Sequence, residues 1–195
     1  MTAIIRMATV EDGEQIAAVY APSVTAAVIS FEVEPPGAAE MERRITETLV
    51  MHPWLVAERD GEVAGYARAG RFKERAAYQW SVETSVYIRA TAHRSGLGRA
   101  LYGVLFDLLV LQGFYRAYAG VTLPNPASVG LHESLGFTPV GVYRAAGYKF
   151  GAWHDVGWWE RGLQPLVADP PAPRPITAIV GTAGYERAMR GGVLL

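Results

Sequence analysis

The residues best suited to chemistry lie in one stretch, where a strand with an acidic residue leads into a glycine loop and a helix. Glu83 is the acid, in a strand predicted over residues 80–88. The loop, residues 94–99, reads Arg-Ser-Gly-Leu-Gly-Arg, and a long apolar-periodic run follows it. Backbone N–H groups at a loop and a helix start can hold a phosphate, and the helix dipole favours its negative charge. A pyrophosphate-sized anion beside a carboxylate indicates an enzyme with a nucleotide-like cofactor.

The glycine spacing separates this loop from two widespread phosphate motifs. No Gly-Lys-Ser/Thr follows it, as a Walker A loop requires, and Gly96 and Gly98 lack the third glycine of a dinucleotide loop. The remaining pattern, Arg/Gln-x-x-Gly-x-Gly, resembles the pyrophosphate loop of the Gcn5-related N-acetyltransferases, with His93 where Arg or Gln is usual. Taken alone, the same glycines could serve only the dihedral angles of a strand-to-helix turn.

Alternation along the acidic strand gives it two different faces. Ser81, Glu83, Ser85 and Tyr87 point one way, and the residues between them, mostly apolar, point the other. A solvent-facing side would account for the carboxylate equally well, but the anion loop downstream favours a site.

Three further polar residues precede this strand, and one histidine follows it. Lys73, Arg75 and Tyr78 form either a solvated loop or an anchor for a substrate carboxylate or phosphinate through charge-assisted hydrogen bonds. His132 lies on a short helix that Asn125 is expected to cap, where a lone histidine is most often an ordinary surface residue.

Composition narrows the class of protein. The 195 residues suffice for one domain with a sizeable core, and 19 acids balance 18 bases, which disfavours a nucleic-acid binder. The chain has no cysteine, which excludes disulfides and thiolate chemistry, and its four histidines lack metal-ligand spacing. No signal peptide, membrane-length apolar run or Gly-x-Ser-x-Gly elbow is visible, so we expect a cytoplasmic protein without a metal.

Periodicity and turn residues predict a mixed sheet with helices on both faces, an α/β (α+β) domain. The domain is predicted over residues 1–164 and a C-terminal tail over residues 165–195. The tail is proline-rich and extended over residues 165–175, and the residues from Thr177 are a weak apolar segment that the pattern does not place. The expected strands are 3–7, 54–58, 63–69, 80–88, 115–121, 137–143 and 153–160. The expected helices start near residues 9, 38, 97 and 126, the third ending at Gly113.

Longer blocks carry a more specific resemblance than the loop. They are residues 30–32, 52–58, 60–67, 73–75, 82–83, 86–87, 94–98, 123–125, 132–137 and 144–156. Together they resemble the phosphinothricin and methionine sulfoximine N-acetyltransferase branch of the Gcn5-related N-acetyltransferase (GNAT) superfamily, over about residues 4–164. Two features depart from that branch: His93, which can weaken one phosphate contact, and the residues beyond Pro175.

This resemblance implies a fold, a cofactor and residue roles. The two central strands, residues 80–88 and 115–121, would splay apart to admit the pantetheine arm of acetyl-CoA. Glu83 would be the base, directly or through a water, and His132 would take an acid–base role. The implied cofactor contacts are Val86, Ile88, Arg94, Ser95, Gly96, Gly98, Arg99, Asn125 and Ser128. The implied substrate contacts are Phe31, Lys73, Arg75, Tyr78, Ser85 and Tyr87.

The expected reaction is acetylation of the α-amine of a small amino acid such as phosphinothricin or methionine sulfoximine. Two alternatives remain: an acetyltransferase for another small amine or a protein N-terminus, and a non-catalytic acyl-CoA-binding protein. The apolar strand around Trp158 and Trp159 predicts a homodimer interface.

Overall fold

The computed structural model describes residues 3–194, in which strands and helices are interspersed. The strands of this part are β1 (Ala3–Met7), β2 (Trp54–Arg59), β3 (Glu62–Arg71), β4 (Ser81–Ile88), β5 (Arg116–Leu123), β6 (Thr138–Lys149), β7 (Ala152–Gly162) and β8 (Val193–Leu194). Its α-helices are α1 (Gly13–Thr25), α2 (Ala38–Thr48), α3 (Leu97–Gln112), α4 (Pro126–Ser134) and α5 (Ala183–Arg190). None of these helices is both long and apolar enough to cross a membrane.

All the strands of the described residues join one sheet, in the order β6-β7-β5-β4-β3-β2-β1-β8. Neighbouring strands are antiparallel except β4 and β5, which are parallel. The predicted mixed sheet is therefore confirmed, and its one parallel pair lies at the centre, between β3 and β7.

Helices cover both faces of the sheet, as predicted. On one face α3 buries a leucine stripe that includes Leu101, Leu105 and Leu108. On the other face α1 and α2 pack Ile16 and Ile45 into a second core. Each helix removes an apolar stripe from water. This burial stabilises the fold by about 25 cal/mol per Å² of apolar surface. These two layers hold the central strands in place from either side.

Local turn chemistry follows the sequence closely. Asp60 and Gly61, with φ of 53° and 80°, form the tight turn between β2 and β3. Gly113, with φ of 94°, ends α3 in a left-handed conformation that glycine adopts without a steric penalty. Asn125 caps α4 by accepting a hydrogen bond from the Ser128 N–H at 3.1 Å.

The β6–β7 hairpin is longer than the pattern predicts. The expected strands stop at Tyr143 and restart at Trp153, whereas β6 runs to Lys149 and β7 starts at Ala152. A turn at Phe150 and Gly151, both with positive φ, joins them. The sequence did not predict this part of the strands because its glycines and alanines show no apolar–polar alternation. Strand preference there depends on what each side chain packs against.

Trp158 and Trp159, on which the predicted dimer interface rests, do not form an exposed apolar surface, and the homodimer itself stays a prediction. Trp159 is 6% exposed and lies in the main core, and its indole N–H donates to Glu133. Trp158 packs against Phe72, with ring centroids 6.0 Å apart. The strand is internal, with β5 on one side and β6 on the other, so its apolar residues serve the fold.

The residues after Gln164 pack on the domain. They pass α3 as irregular chain, and the Arg174 N–H donates to the Gln112 carbonyl at 2.8 Å. Ile176 and Ile179, each 1% exposed, then enter the main core. The helix α5 contacts α3, and β8 pairs with β1 at the sheet edge. Residues 165–175 contain no helix or strand, and α5 and β8 after them are elements that the sequence did not reveal.

Candidate active site

A fork in the sheet creates a cleft. The parallel β4–β5 pairing spans three residue pairs and ends at Glu83 opposite Tyr118, whereas β3 pairs with β4 as far as Ile88. Beyond Glu83, β4 therefore has a strand neighbour on one side only, and its other edge faces a cleft. The cleft is lined by Ile29, Thr84, Ser85, Val86, Tyr87, Gly120, Val121, Thr122, Asn125 and Ser128. Its open strand edge has backbone groups that an extended ligand can pair with.

Glu83 lies at the point of the fork. Burial raises the pKa of its carboxyl group, and the nearby charges of Arg68 and Lys73 partly oppose that shift. A carboxylate whose pKa is moved towards neutrality is a stronger base than an exposed one. The position and the electrostatics both suit a proton acceptor at the cleft.

The glycine loop at the far end of β4 has the geometry of an anion site. Arg94 and Gly96 have φ of 59° and 84°, which turn the chain sharply into α3. The first hydrogen bond into α3 runs from the Ala100 N–H to the Gly96 carbonyl, at 3.0 Å. The N–H groups of residues 97–99 precede that bond, so they are free to hold an anion at the positive end of the helix dipole.

Three side chains near this loop bond within the protein. Ser95 Oγ donates to the Ala92 carbonyl at 2.6 Å, and a ring nitrogen of His93 lies 3.0 Å from the Ile88 carbonyl. The Arg99 guanidinium donates to Ser134 Oγ at 2.9 Å, on α4. The Arg99 side chain is thus engaged by α4, and Arg99 stays a predicted cofactor contact, to which its backbone N–H at the start of α3 can contribute.

The remaining expected cofactor residues fall into two groups. Val86, Asn125 and Ser128 line the cleft. Ile88 ends β4, where its side chain packs against Gly65 and its main chain can pair with a ligand. Gly98 faces α4, where an added Cβ would lie 3.2 Å from Leu131, so this glycine permits the close approach of α3 and α4.

His132 is buried behind the cleft and does not open onto it. The residue is 4% exposed, its Nδ1 lies 2.7 Å from the Ser128 carbonyl, and its Nε2 lies 3.0 Å from the Tyr102 hydroxyl. A carbonyl oxygen can only accept, so Nδ1 carries the proton and Nε2 is the acceptor. Burial lowers the pKa of His132, which keeps the imidazole neutral at pH 7.

Tyr102 connects His132 to the cleft, and sequence reasoning missed it. Its hydroxyl lies 3.4 Å from Thr84 Oγ1, and Thr84 lines the cleft. Burial holds the pKa of the Tyr102 phenol well above its ordinary value, so the phenol keeps its proton. The sequence offered one indication of this contact: Tyr102 and Thr84 are polar residues on the otherwise apolar faces of α3 and β4.

Two of the expected substrate residues lie in the cleft, whereas Phe31, Lys73, Arg75 and Tyr78 are not among its lining residues. Ser85 and Tyr87 line it, and Tyr87 packs edge-on against Tyr20 at 4.9 Å between ring centroids. Phe31 lies near the hairpin, where a Cβ at Gly147 would collide with its ring. The structure thus brings Ser85 and Tyr87 into the cleft and places Phe31 on the β6–β7 hairpin.

Lys73, Arg75 and Tyr78 lie in an exposed loop after β3. Lys73 Nζ lies 5.0 Å from the Phe72 ring centroid, and Tyr78 packs edge-on against the same ring. The positive charge of Lys73 reaches Glu83, where it lowers the carboxyl pKa. The loop thus brings a cation to the side of the fork.

Comparison with known proteins agrees with this geometry. The acetyltransferase (GNAT) domain family matches residues 5–158. The phosphinothricin N-acetyltransferase of Streptomyces viridochromogenes is 43% identical over 175 residues, covering 90% of this chain and 95% of that protein. The L-methionine sulfoximine/L-methionine sulfone acetyltransferase of Pseudomonas aeruginosa is 34% identical and covers 87% of this chain and 100% of that protein.

A solved structure gives the same fold. The phosphinothricin acetyltransferase of Sinorhizobium meliloti, solved in complex with acetyl-CoA, aligns with a TM-score of 0.79 at 33% identity. The alignment covers 95% of this chain and 99% of that one. Fold, fork and loop define an acyltransferase, and the chain belongs to the GNAT acetyltransferase family.

The state of His132 can be tested directly. Nitrogen-detected NMR should show a neutral imidazole protonated on Nδ1, because the Ser128 carbonyl needs a donor. Its titration midpoint should lie below the ordinary value of 6.5, because burial disfavours the charged form. His132→Gln assigns the signal. A proton on Nε2, or a midpoint above 6.5, would contradict the arrangement.

Proposed function

We propose that this chain transfers the acetyl group of acetyl-CoA to the α-amine of a small amino acid, with phosphinothricin and methionine sulfoximine as the favoured type. The observation that carries the proposal is the fork: Glu83 lies where β4 and β5 part, and an anion-binding helix start follows at the end of β4. The names of the two relatives support the substrate class. Acetyl-CoA supplies an activated acetyl thioester when bound.

The residues at the cleft fit that cofactor. The N–H groups of residues 97–99 would hold the pyrophosphate. The open edge of β4 beyond Glu83 would pair with the amides of the pantetheine arm. Because the Asn125 side-chain oxygen already caps α4, its NH₂ group remains as a donor towards the cleft.

Glu83 would serve as the base. An α-amine has a pKa of about 8, so most of it is protonated at neutral pH and must lose a proton before it attacks. Glu83 would take that proton directly or through a water, helped by its raised pKa. A backbone N–H on the open edge of β4 would stabilise the oxyanion that develops on the acetyl carbonyl.

For His132 we propose an acid–base role that acts through Tyr102. The neutral imidazole accepts at Nε2, and the Tyr102 hydroxyl stands between it and Thr84 at the cleft wall. Because Nε2 accepts from the phenol, His132 would act as the base of this pair, and the departing thiolate would take up the proton that Glu83 removes from the amine.

Lys73 and Arg75 would bind the substrate's carboxylate and its oxidised side-chain end by charge-assisted hydrogen bonds. Phe31, Tyr78 and Tyr87 would form the walls, with Ser85 a polar contact at the cleft.

Three further statements remain proposals. We propose residues 1–164 as the catalytic domain, with residues 165–194 bracing it. We propose a homodimer through the edge strand β6, where Val140 and Val142 are 57% and 42% exposed. The cytoplasmic location and the lack of a nucleic-acid partner are predictions from composition.

Glu83→Gln tests the base. The variant should bind acetyl-CoA normally and lose roughly 10²-fold or more in kcat near neutral pH. Because the wild-type carboxylate must be ionised, kcat/KM should fall below a pKa that lies above the ordinary 4.5, and the variant should lack that acidic limb. Steady-state rates over a pH series provide the measurement.

Glu74→Gln is the matched control, since that carboxylate is exposed and pairs with Arg71 at 2.9 Å. It should turn over like the wild type. The deficit of Glu83→Gln should shrink at alkaline pH, where the amine deprotonates unaided, and an equal deficit at every pH would argue against a base.

The substrate class can be tested by competition among amines. We expect kcat/KM for phosphinothricin or methionine sulfoximine to exceed that for methionine and glutamate by about tenfold or more, because a hydrogen bond to a charged group contributes about 1.5–3 kcal/mol. Arg75→Ala should remove most of that preference, while Arg71→Ala, next to the same loop, should not. Tenfold faster turnover of methionine would overturn the substrate class but not acetyl transfer.

A further inference from the structure

The far end of the β6–β7 hairpin projects beyond the neighbouring strand. The pairing of β7 with β5 runs from Gly162 to Asp155, which lies opposite Leu123, the last residue of β5. Residues 144–154 extend past that point, held within the hairpin by pairs such as Gly147 with His154. We call this part the hairpin tip. Its position relative to the cleft depends on contacts outside the sheet.

One short loop, residues 29–32, meets that tip. The helical layer holds the loop from one side: the Tyr20 hydroxyl lies 2.6 Å from Ser30 Oγ and donates to Glu32 at 2.9 Å. Arg44, on α2, donates to the Glu32 carboxylate at 2.8 Å. Ile29 lines the cleft, so the loop crosses from the helices towards the hairpin at the cleft itself.

Lys149 connects the loop to the hairpin tip. Its ammonium donates to the Ser30 carbonyl at 2.7 Å and to the Glu32 carbonyl at 2.9 Å, the two carbonyls that flank Phe31. The residue is 7% exposed although it is a lysine. Burying an ammonium is costly unless it is hydrogen-bonded, so a chain that needed only packing would place an apolar residue there.

Gly147 provides a second, independent sign of the same contact. It lies two residues before Lys149, so both residues face the same side of β6. A Cβ at Gly147 would collide with the Phe31 ring, so the ring lies directly on the hairpin backbone. Gly147 therefore leaves space for the Phe31 ring, and Lys149, the next residue on the same face of β6, binds the two carbonyls that flank Phe31.

We infer that Lys149 is a specificity-determining residue: it fixes Phe31 between the helical layer and the hairpin tip and so restricts the amine site to small substrates. The inference rests on the proposed function, because it takes Phe31 as a wall of the amine site. Lys149 itself is a positioning residue, which acts through Phe31 and contacts no reacting atom. Releasing it leaves the loop attached to α1 and α2 and frees the ring.

Lys149→Met is the direct test, because it keeps the length of the side chain and removes the donors. The KM for methionine sulfoximine should rise about tenfold, since hydrogen bonds to a charged group are lost. The KM for acetyl-CoA and kcat should change less than about twofold. The preference for methionine sulfoximine over bulky phenylalanine should fall. Arg144→Met, an exposed cation of the same hairpin, is the control and should keep wild-type constants.

Gly147→Ala is a second variant, which tests whether the effect of Lys149→Met comes from displacing Phe31 or only from a loss of stability. It leaves Lys149 in place and displaces the Phe31 ring, so it should raise the same KM and relax the same preference. A double-mutant cycle then identifies the route: in a Phe31→Ala background, Lys149→Met should add less than about twofold, because the group it positions is gone.

The outcomes distinguish a failure of the proposed acetyl transfer from a failure of the role assigned to Lys149. If the wild type acetylates none of these amines, the proposed function is wrong and this inference fails with it. If it acetylates them and Lys149→Met keeps its KM and preference, only the role of Lys149 is overturned. Full additivity with Phe31→Ala, or a fall in kcat alone, also overturns it.

Discussion

The early end of the β4–β5 pairing is the constraint on which the rest of the site depends. Two parallel strands in the middle of a sheet normally stay paired, because an unpaired strand edge leaves backbone donors and acceptors without partners. Here the pairing ends at Glu83 opposite Tyr118. The Thr84 hydroxyl then donates a hydrogen bond to the Tyr118 carbonyl, in place of the backbone N–H that would continue the pairing of β4 and β5. The cleft is the direct result.

Each functional group takes its position from that fork. Glu83 is the last residue of β4 that pairs with β5, so its backbone lies where the cleft begins. The open edge of β4 leads to the glycine loop, which starts α3 and aims N–H groups at the other end of the same path. The network of Thr84, Tyr102 and His132 lies behind the cleft wall, where burial keeps the imidazole neutral and the phenol protonated. One strand thus orders the proposed base, the proposed cofactor path and the proposed anion site along a single line.

The sequence predicted those parts whose cause is local. The turn at Gly61, the end of α3 at Gly113 and the cap at Asn125 depend on residues within one turn of each other, and all three were confirmed. Contacts between distant residues could not be predicted this way. Tyr102 meets His132 across 30 positions, and Lys149 meets Ser30 across 119. A pattern that shows only a polar residue on an apolar face does not identify its partner.

Hydrogen exchange of the β4 amides tests the central claim most directly. Residues 85–88 should exchange faster than the paired residues 81–83 in the free protein, because only one neighbouring strand protects them. Acetyl-CoA should slow exchange at residues 85–88 and at residues 96–99 together, while residues 81–83 stay unchanged. Protection that appears only elsewhere, with both of these segments unaffected, would contradict a cofactor site at the fork.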